Sequence, residues 1–340
     1  MRTDTFDYDL PSGLIAQDPL EERDASRLLV LNRATGDVSH RVFHDLGDLL
    51  EKGDCLVVNS TRVLPARLAG RKRDAGGAVE LLLLERVEGE RWKAMTRGAA
   101  LSRGTRITFG EETLEATVVE GPSHGVVTVD LSAPGGDVGR AIDEIGRVPL
   151  PPYITHELSD PERYQTVYAH NEVSAAAPTA GLHFTDSLLE RLSLKGVDLA
   201  KLELAVGMDT FVPVREAEVE DHRIHAEWFS LDEECARKVA AARRRGGRVV
   251  AVGTTSVRAL ESCASGGLVR PASGHTDLFI TPGYSFEVVD ALITNFHFPR
   301  STLLMLVCAF AGTERVLAAY REAVRERYRF YSFGDAMLVA

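Results

Sequence analysis

A series of short apolar and β-branched segments between Leu64 and Leu150 is the feature that most constrains the fold. The segments are VELLLLERV, RWKAMTR, TRITFG, LEATVVEG and GVVTVDL. Turn residues separate them at intervals of roughly ten, and no long helical period runs through them, which is typical of all-β barrels and sandwiches. We therefore predict a small all-β domain inserted into the chain.

The sequence on both sides of this insert predicts an α/β domain. Before it, SRLLVLNRATGDVSH indicates two strands around a turn, and DCLVVNS indicates a buried strand. After the proline-rich segment GRVPLPPYI, which favours a stiff linker, helices alternate with the strands VDLAKLELAVG and RVVAVG. The predicted helices are Thr185 to Gly196, DEECARKVAAARRRGG, TSVRALESCAS and TERVLAAYREAVRERY, the last with Thr313 as N-cap. This alternation implies a largely parallel sheet with covered faces.

The composition of the 340 residues argues against several classes of protein. The four cysteines lie far apart without a CxxC pair, which disfavours a disulfide scaffold and a thiolate zinc site. The net charge of −11 disfavours nonspecific coating of nucleic acid, although it permits a local basic patch. We see no signal peptide, and the most apolar stretch, 303–311, is shorter than the roughly 20 residues of a membrane span. We expect a cytoplasmic protein that does not enter a membrane.

The segment VVAVGTTSVRALES carries the strongest local signal for a ligand site. An apolar strand leads into Gly253, and Thr254, Thr255 and Ser256 then open a helix. Backbone amides and hydroxyls at such a helix start favour an anionic group such as a carboxylate, at the sheet edge where α/β folds bind ligands. The alternative is a hydroxyl cap without a ligand.

Two further segments place a histidine beside small or polar residues. In AAAPTAGLHF, Pro178 and Gly181 fix a turn before His183, which suits either the pocket wall for a flat ligand or a tight structural turn. In ALITNFHFPRSTLL, Asn295 and His297 are two residues apart and point the same way on an extended chain. That pair suits contact with a base edge, transfer of a proton, or a satisfied buried pair.

Basic residues cluster at the entry to the β domain, with no acid among them before position 74. The cluster consists of Arg62, Arg67, Arg71, Lys72 and Arg73. The arginines near the ends of two predicted helices are explained by helix-end complementarity and ion pairing. The entry cluster lacks that explanation and is our candidate for contact with phosphate groups.

Two weaker signals concern stacking and metal binding. The segment YRFYSFGDAM suits stacking on a base or packing in the core, with Asp335 placed for polar recognition at a turn. His222, His225 and Glu227 superficially resemble metal ligands, but they lack helical metalloprotease spacing, and WFSL after them favours a strand. We expect no metal there, so a metal-dependent hydrolase is the weakest functional prediction.

Together these segments resemble one family, the S-adenosylmethionine:tRNA ribosyltransferase-isomerases of the queuosine pathway (QueA family). The matching stretches occur in family order over nearly the whole chain, which is far more specific than any single motif. They are FDYDLPSGLIAQDP, RLLVLNRATG, VVNSTRVLPARLAGRK, GRVPLPPYI, YQTVYA, APTAGLHFT, FVPV, RVVAVGTTSVRALES, FITPGY, VDALITNFHFPRSTLLMLVCAFAG and YRFYSFGDAM.

The resemblance implies an α/β main domain built from both chain ends, residues 1–62 and 152–340, with an all-β barrel inserted over residues 63–151. It also implies a transferase and isomerase that consumes S-adenosylmethionine as a substrate and uses no cofactor or metal. The ribosyl part of S-adenosylmethionine is transferred to 7-aminomethyl-7-deazaguanine at the wobble position of a tRNA anticodon and isomerised. The products are epoxyqueuosine-tRNA, adenine and methionine, and we expect the enzyme to be a monomer.

This reaction needs a base beside the carbon next to the sulfonium and a donor near the departing adenine. With the resemblance, we assign these acid–base roles to His183 and His297. The turn at Gly253, with Arg258, would hold the methionine or ribose end, and Asn295 would position the base or sugar. The predicted substrate contacts are Thr179, Gly181, Gly253, Thr254, Thr255, Ser256, Arg258, Asn295 and Asp335, and the predicted tRNA contacts are Arg62, Arg67, Arg71 and Lys72.

The sequence departs from the family pattern at four positions. Ser60 stands where asparagine is usual, Ala205 where histidine is usual and Asp209 where glycine is usual, and the usual glycine near Val173 is missing. A missing histidine removes a catalytic or binding group, and aspartate in place of glycine adds a charge and restricts the backbone. These differences favour, as the alternative, a divergent noncatalytic tRNA- or nucleotide-binding paralogue on the same scaffold.

Overall fold

The computed structural model describes residues 1–74, 76–123, 125–207 and 213–340. They form two compact units. One unit comprises Met1–Thr61, Pro151–Asn171 and Ala177–Ala340, and the other comprises Arg62–Leu150 and Glu172–Ala176. Both ends of the chain therefore belong to the same unit.

The described residues contain strands and helices in the following order along the chain. The strands are β1 (Arg27–Leu31), β2 (Val38–Val42), β3 (Cys55–Asn59), β4 (Thr61–Val63), β5 (Arg67–Lys72), β6 (Ala78–Glu88), β7 (Arg91–Gly98), β8 (Arg106–Phe109), β9 (Leu114–Ser123), β10 (Val126–Ser132), β11 (Asn171–Ser174), β12 (Asp198–Leu204), β13 (Glu227–Leu231), β14 (Val249–Val252), β15 (Ala264–Ser265), β16 (Leu268–Val269), β17 (Ala272–Thr276), β18 (Ala291–Asn295) and β19 (Ala336–Val339). The α-helices are α1 (Leu46–Leu49), α2 (Val138–Ile145), α3 (Asp186–Lys195), α4 (Glu233–Arg244), α5 (Gly253–Ser262), α6 (Thr302–Ala311) and α7 (Thr313–Arg325).

The unit that contains both chain ends is built on a nine-stranded sheet with the order β17–β13–β12–β3–β14–β18–β19–β1–β2. Its centre, β12–β3–β14–β18, is parallel as predicted, whereas β2, β13 and β17 pair antiparallel at the edges. Parallel neighbours need a crossover of a dozen or more residues, and the short link between β1 and β2 allows only a hairpin. Two helices, α6 and α7, follow β18 and bring the chain back to the edge of the sheet at which β18 ends. β19 therefore starts at that edge and runs antiparallel to β18.

Helix α3 shows how local sequence signals fix an element of this unit. Thr185 caps its start, with the side-chain hydroxyl accepting from the backbone N–H of Leu188. Gly196 ends it with a φ of 89°, a left-handed conformation natural to glycine. Leu188 and Leu192, four residues apart, pack into the buried cluster that contains Leu338 of β19. The predicted bounds of this helix are confirmed.

The starts of the last two helices differ from each other. Ser301 caps α6, because its Oγ accepts from the backbone N–H of Leu304. The prediction of Thr313 as the N-cap of α7 is wrong, because the cap position falls at Gly312 and Thr313 is the first helical residue. Within the described part of the chain, no single helix is long and apolar enough to cross a membrane, although α6 and α7, bent by 115°, together meet that length and composition.

The second unit contains a closed barrel in the order β10–β7–β6–β5–β8–β9, with antiparallel neighbours. The five predicted segments correspond to β6, β7, β8, β9 and β10. Strand β5 and helix α2 also belong to this unit and escaped prediction, β5 because its sequence RLAGRK is small and basic rather than β-branched. The fold class predicted from the sequence, an α/β domain from both chain ends with an inserted all-β barrel, is confirmed.

Replacing Leu338 with alanine is expected to lower the free energy of unfolding by about 2–5 kcal/mol, because it leaves a cavity in the buried cluster. Urea denaturation can be followed by the fluorescence of Trp228, which lies in β13 of the same sheet, in a Trp92→Phe background. Leu194→Ala is the matched control, because Leu194 is 83% exposed, and should change the value by less than about 0.5 kcal/mol. Equal effects of the two substitutions would contradict the central position of β19.

Candidate active site

A recess opens at the carboxyl ends of the parallel strands β14 and β18. We call it the Gly253 recess, and its volume is about 340 Å³, part of it open to solvent. Gly253 follows β14 directly and begins α5 with a φ of 82°, which an L side chain rarely adopts. The recess brings together six residues that the sequence predicts as functional, namely Thr179, Gly253, Thr254, Thr255, Asn295 and His297.

A chain of buried hydrogen bonds crosses the wall of this recess. Thr179 Oγ1 donates to Asn295 Oδ1 at 2.9 Å, and Asn295 Nδ2 lies 3.1 Å from His183 Nε2. With the amide oriented in this way its nitrogen can only donate, so Nε2 accepts and carries no hydrogen. The neutral imidazole then has its hydrogen on Nδ1, which donates to Ser26 Oγ at 2.8 Å. One tautomer of His183 is therefore fixed from both sides.

Both candidate histidines are held in the neutral form. Burial lowers the pKa of His297 to about 3. Burial, assisted by the positive charges of Arg329 and Arg23, lowers the pKa of His183 to about 3 as well. His297 Nε2 lies 2.8 Å from the hydroxyl of Thr294, which fixes the ring within the recess. At neutral pH neither ring has an ionised form that could donate a proton, and the lowered pKa makes each ring a weaker base than a free imidazole.

Two of the predicted ligand-binding residues are occupied by internal contacts. Ser256 Oγ donates to the carbonyl oxygen of Val252 at 2.7 Å, so its hydroxyl serves the first turn of α5. The guanidinium of Arg258 forms a buried ion pair with Glu227 and donates through Nε to the carbonyl oxygen of Leu278. Neither residue lines the Gly253 recess.

Gly181 and Asp335 also stand away from the lining of the recess. A Cβ at Gly181 would lie 2.2 Å from the hydroxyl oxygen of Tyr168, so glycine is required there for close packing. Asp335 is 2% exposed, and its carboxylate accepts from the backbone N–H groups of Arg27 and Arg329 at 2.9 and 2.8 Å. Burial raises the pKa of Asp335, and its visible role is to anchor the turn after the last helix.

The predicted tRNA contacts lie in the barrel unit. Arg67 and Arg71 project from the outer face of β5, where they alternate with the buried side chain of Leu68. Lys72 ends the same strand, and Arg62 lies in β4. Arg62 and Arg67 each have a glutamate oxygen within reach, at 3.4 and 3.9 Å. Arg71 is exposed on that outer face.

The four departures from the family pattern have different surroundings. Ser60 is buried, and its Oγ donates to the carbonyl oxygen of Leu202 at 3.2 Å. The backbone N–H of Ala205 donates to the carbonyl oxygen of Trp228 in β13. This bond continues the pairing with β13 beyond the end of β12. Val173 lies in β11 and is 40% exposed. Asp209 lies outside the described residues.

The histidines near β13 do not form a metal centre with Glu227. His222 Nδ1 lies 2.9 Å from Glu216, and Glu227 is engaged by Arg258. Across the described ranges, no group of three or more His, Cys, Asp or Glu side chains is placed to hold a metal ion.

Comparison with known proteins identifies the family to which a chain with this fold and this recess belongs. A sequence model of the family described as "Queuosine biosynthesis protein" matches residues 3–339. The chain belongs to the queuosine biosynthesis protein family. The resemblance inferred from the sequence motifs is thereby confirmed.

Several members of the queuosine biosynthesis protein family match this chain over its whole length. It is 52% identical over 341 residues to a protein from Symbiobacterium thermophilum and 53% identical over 346 residues to one from Heliobacterium modesticaldum, with 100% of both chains covered in each comparison. Both are named S-adenosylmethionine:tRNA ribosyltransferase-isomerase. The crystal structure of S-adenosylmethionine tRNA ribosyltransferase from Thermotoga maritima is similar with a TM-score of 0.57 and 42% identity, covering 99% of this chain and 100% of that one.

Substitution of either buried histidine by glutamine is expected to make stability less sensitive to acid. Each folded imidazole has a pKa near 3, against an ordinary value of 6.5. Between these values the unfolded chain binds one more proton per histidine, so the free energy of unfolding falls by about 1.4 kcal/mol per pH unit as the pH drops. Urea denaturation between about pH 6 and pH 4 should show this dependence on pH reduced in His183→Gln and in His297→Gln. In each variant the slope should fall by the contribution of one proton, about 1.4 kcal/mol per pH unit. An unchanged slope in both variants would contradict the buried neutral rings.

Proposed function

We propose that this chain is an S-adenosylmethionine:tRNA ribosyltransferase-isomerase of queuosine biosynthesis. The observation that carries the proposal is its 52–53% identity, over the full length, to relatives of that name. The reaction would transfer and isomerise the ribosyl part of S-adenosylmethionine onto 7-aminomethyl-7-deazaguanine in the tRNA anticodon, giving epoxyqueuosine, adenine and methionine. The noncatalytic alternative is not favoured, because relatives this similar carry the name of the enzyme.

The Gly253 recess is the proposed site for S-adenosylmethionine. Backbone amides at the start of α5, with the hydroxyls of Thr254 and Thr255, would bind the methionine carboxylate, which the helix dipole favours. Asn295 and Thr179 would contact the base or sugar. Arg258, which is paired with Glu227, would act indirectly by holding α5 in place. Ser256, Gly181 and Asp335 would support the site through the internal contacts described above.

Proton transfer in this proposal is assigned to His297 and His183. A sulfonium acidifies the neighbouring carbon, so a neutral imidazole beside it can take up the proton. His297 lines the Gly253 recess, whereas His183 contacts it through Asn295. The geometry therefore supports His297 first as the group that touches the substrate, with His183 on the far side of the Asn295 amide.

The proposal also concerns location, partners and assembly. We expect a cytoplasmic monomer whose partners are S-adenosylmethionine and the modified tRNA. The four cysteines are unpaired and buried, and burial raises the pKa of Cys55 and Cys235 to about 12, so these thiols stay unreactive.

Release of adenine tests the proposed reaction. The protein is incubated with S-adenosylmethionine and an anticodon stem-loop that carries 7-aminomethyl-7-deazaguanine, and mass spectrometry is used to look for adenine and a heavier nucleoside. Gly253→Val should abolish both products, because its side chain enters the recess at a backbone conformation that disfavours it. Gly246→Val is the matched control, since Gly246 has a φ of 77° with nothing within 4 Å of its Cβ position.

Three results would each contradict part of this assignment. Absence of adenine with the unaltered protein, while the stem-loop still binds, would refute the enzymatic function. Single-turnover rates that stay normal in both His183→Ala and His297→Ala would refute the acid–base roles. Normal activity in Gly253→Val would remove the recess from the proposal.

Neutralising Arg67 and Arg71 together is expected to weaken tRNA binding and reduce its dependence on salt. Removal of each phosphate-binding charge should lower the slope of log affinity against log salt by roughly 0.7–0.9. Binding can be measured by fluorescence anisotropy at several salt concentrations, with Arg67→Gln/Arg71→Gln compared with the unaltered chain. Arg86→Gln, also in the barrel unit and paired with Glu90, serves as the control. A slope equal to that of the unaltered chain would remove the outer face of β5 from the tRNA interface.

A further inference from the structure

A second recess borders His183 on the side opposite Asn295. His183 and Ser26 line this recess, and Ser26 contacts Nδ1 of the imidazole, whereas Asn295 contacts Nε2 and lines the Gly253 recess. The imidazole therefore stands between the two recesses. We call the second one the arginine recess, because its lining includes Arg23 and Arg163 in a volume of about 300 Å³ that is partly open to solvent.

Neutral backbone carbonyls hold the two arginines in place. Arg23 Nη1 donates to the carbonyl oxygens of Gln165 and Leu182 at 2.9 and 3.2 Å. Arg163 Nη1 donates to the carbonyl oxygen of Glu21 at 3.0 Å. Carbonyl partners fix the position of a guanidinium without neutralising its charge, which remains for a ligand to balance.

The polar groups around this recess carry an excess of positive charge. Among the described residues that line it there is no aspartate or glutamate. Burial and the nearby charge of Arg163 lower the pKa of Arg23, and Asp160 and Glu162 only partly offset them. Two guanidinium nitrogens, Nε of Arg163 and Nη1 of Arg329, are buried without a hydrogen-bond partner in the described structure. Buried donors of this kind are costly unless an acceptor fills the space beside them.

A hydroxyl adds a further donor to the recess. Ser26 is 2% exposed, and its Oγ accepts from Nδ1 of His183 in the tautomer derived above. Its own hydrogen is thereby left to donate toward the recess. Guanidinium and hydroxyl donors without a lining carboxylate are the chemistry of an oxyanion site.

We propose that the arginine recess binds a phosphodiester group of the RNA loop that carries the reacting base. Its non-bridging oxygens would accept from Arg23, Arg163 and the hydroxyl of Ser26. RNA is the favoured source of the oxyanion because the start of α5 already offers a place for the carboxylate of S-adenosylmethionine, and this choice rests on the proposed function. A phosphate hydrogen-bonded to Ser26 would hold His183 and Asn295 in position. Binding of RNA in the arginine recess would thereby be coupled to the Gly253 recess.

The test compares Arg163→Gln and Arg23→Gln with Arg237→Gln, in which an exposed arginine of α4 is neutralised. Affinity for the labelled anticodon stem-loop is measured by fluorescence anisotropy at several sodium chloride concentrations, and affinity for S-adenosylmethionine by calorimetry. Each recess variant should bind the stem-loop about tenfold more weakly at low salt, with a slope smaller by roughly 0.7. Its affinity for S-adenosylmethionine should stay unchanged, and Arg237→Gln should match the unaltered chain in both assays.

Two other outcomes overturn the proposal. If S-adenosylmethionine affinity falls and stem-loop affinity does not, the bound oxyanion is the carboxylate rather than an RNA phosphate. If neither affinity changes, the recess binds neither. If the glutamine variants fail to fold by circular dichroism, Arg163→Lys is used, which retains the charge but lacks the guanidinium fork.

If the glutamine variants do not fold, competition with inorganic phosphate tests the proposal with Arg163→Lys. Phosphate should displace the stem-loop from the unaltered protein beyond the effect of chloride at matched ionic strength, and less so from Arg163→Lys. Equal displacement in the two proteins would refute the site. Adenine release by the unaltered protein is measured separately, so reduced RNA affinity in the recess variants, together with no adenine from the unaltered protein, would refute the enzymatic function and leave the phosphate site standing.

Discussion

The pairing of β19 with both β18 and β1 is the constraint on which the candidate site depends. Ala336 is in register with Leu28 on one side and with Asn295 on the other. The last strand of the chain therefore places the start of β1, with Ser26 just before it, at the same sheet edge as the end of β18. His183 fills the space between Ser26 and Asn295 and bonds to both. Without β19, Ser26 and Asn295 would not be held at fixed positions relative to each other.

The same arrangement explains why the site uses neutral groups. The 3-10 helix Thr179–His183 lies against β18 and carries the histidine into a buried position, where a charged ring would be poorly solvated. Arg329 and Arg23 add to that cost for His183. The neutral ring of His183 keeps one tautomer because Ser26 and Asn295 each bond to one of its nitrogens.

Sequence patterns predicted the elements whose signals are local and missed those that depend on distant contacts. The caps of α3, the turn at Gly253 and the shared direction of Asn295 and His297 follow from neighbouring residues. The antiparallel course of β19 depends on two successive helices, and the engagement of Arg258 by Glu227 joins residues far apart in the chain. The arginine recess left no motif at all, because its cations are held by backbone carbonyls, which every sequence contains.

An acidic protein can bind RNA because binding depends on where its positive charges are fixed rather than on its net charge. The net charge of −11 is a sum over the whole sequence, and much of the surface charge is paired, as in the contact of Arg91 with Asp130. Carbonyl-held guanidiniums such as those of Arg23 and Arg163 keep their full charge, and their partial burial reduces screening by salt. In the proposed complex, a few fixed cations would orient the RNA loop while the acidic remainder repels nonspecific nucleic acid.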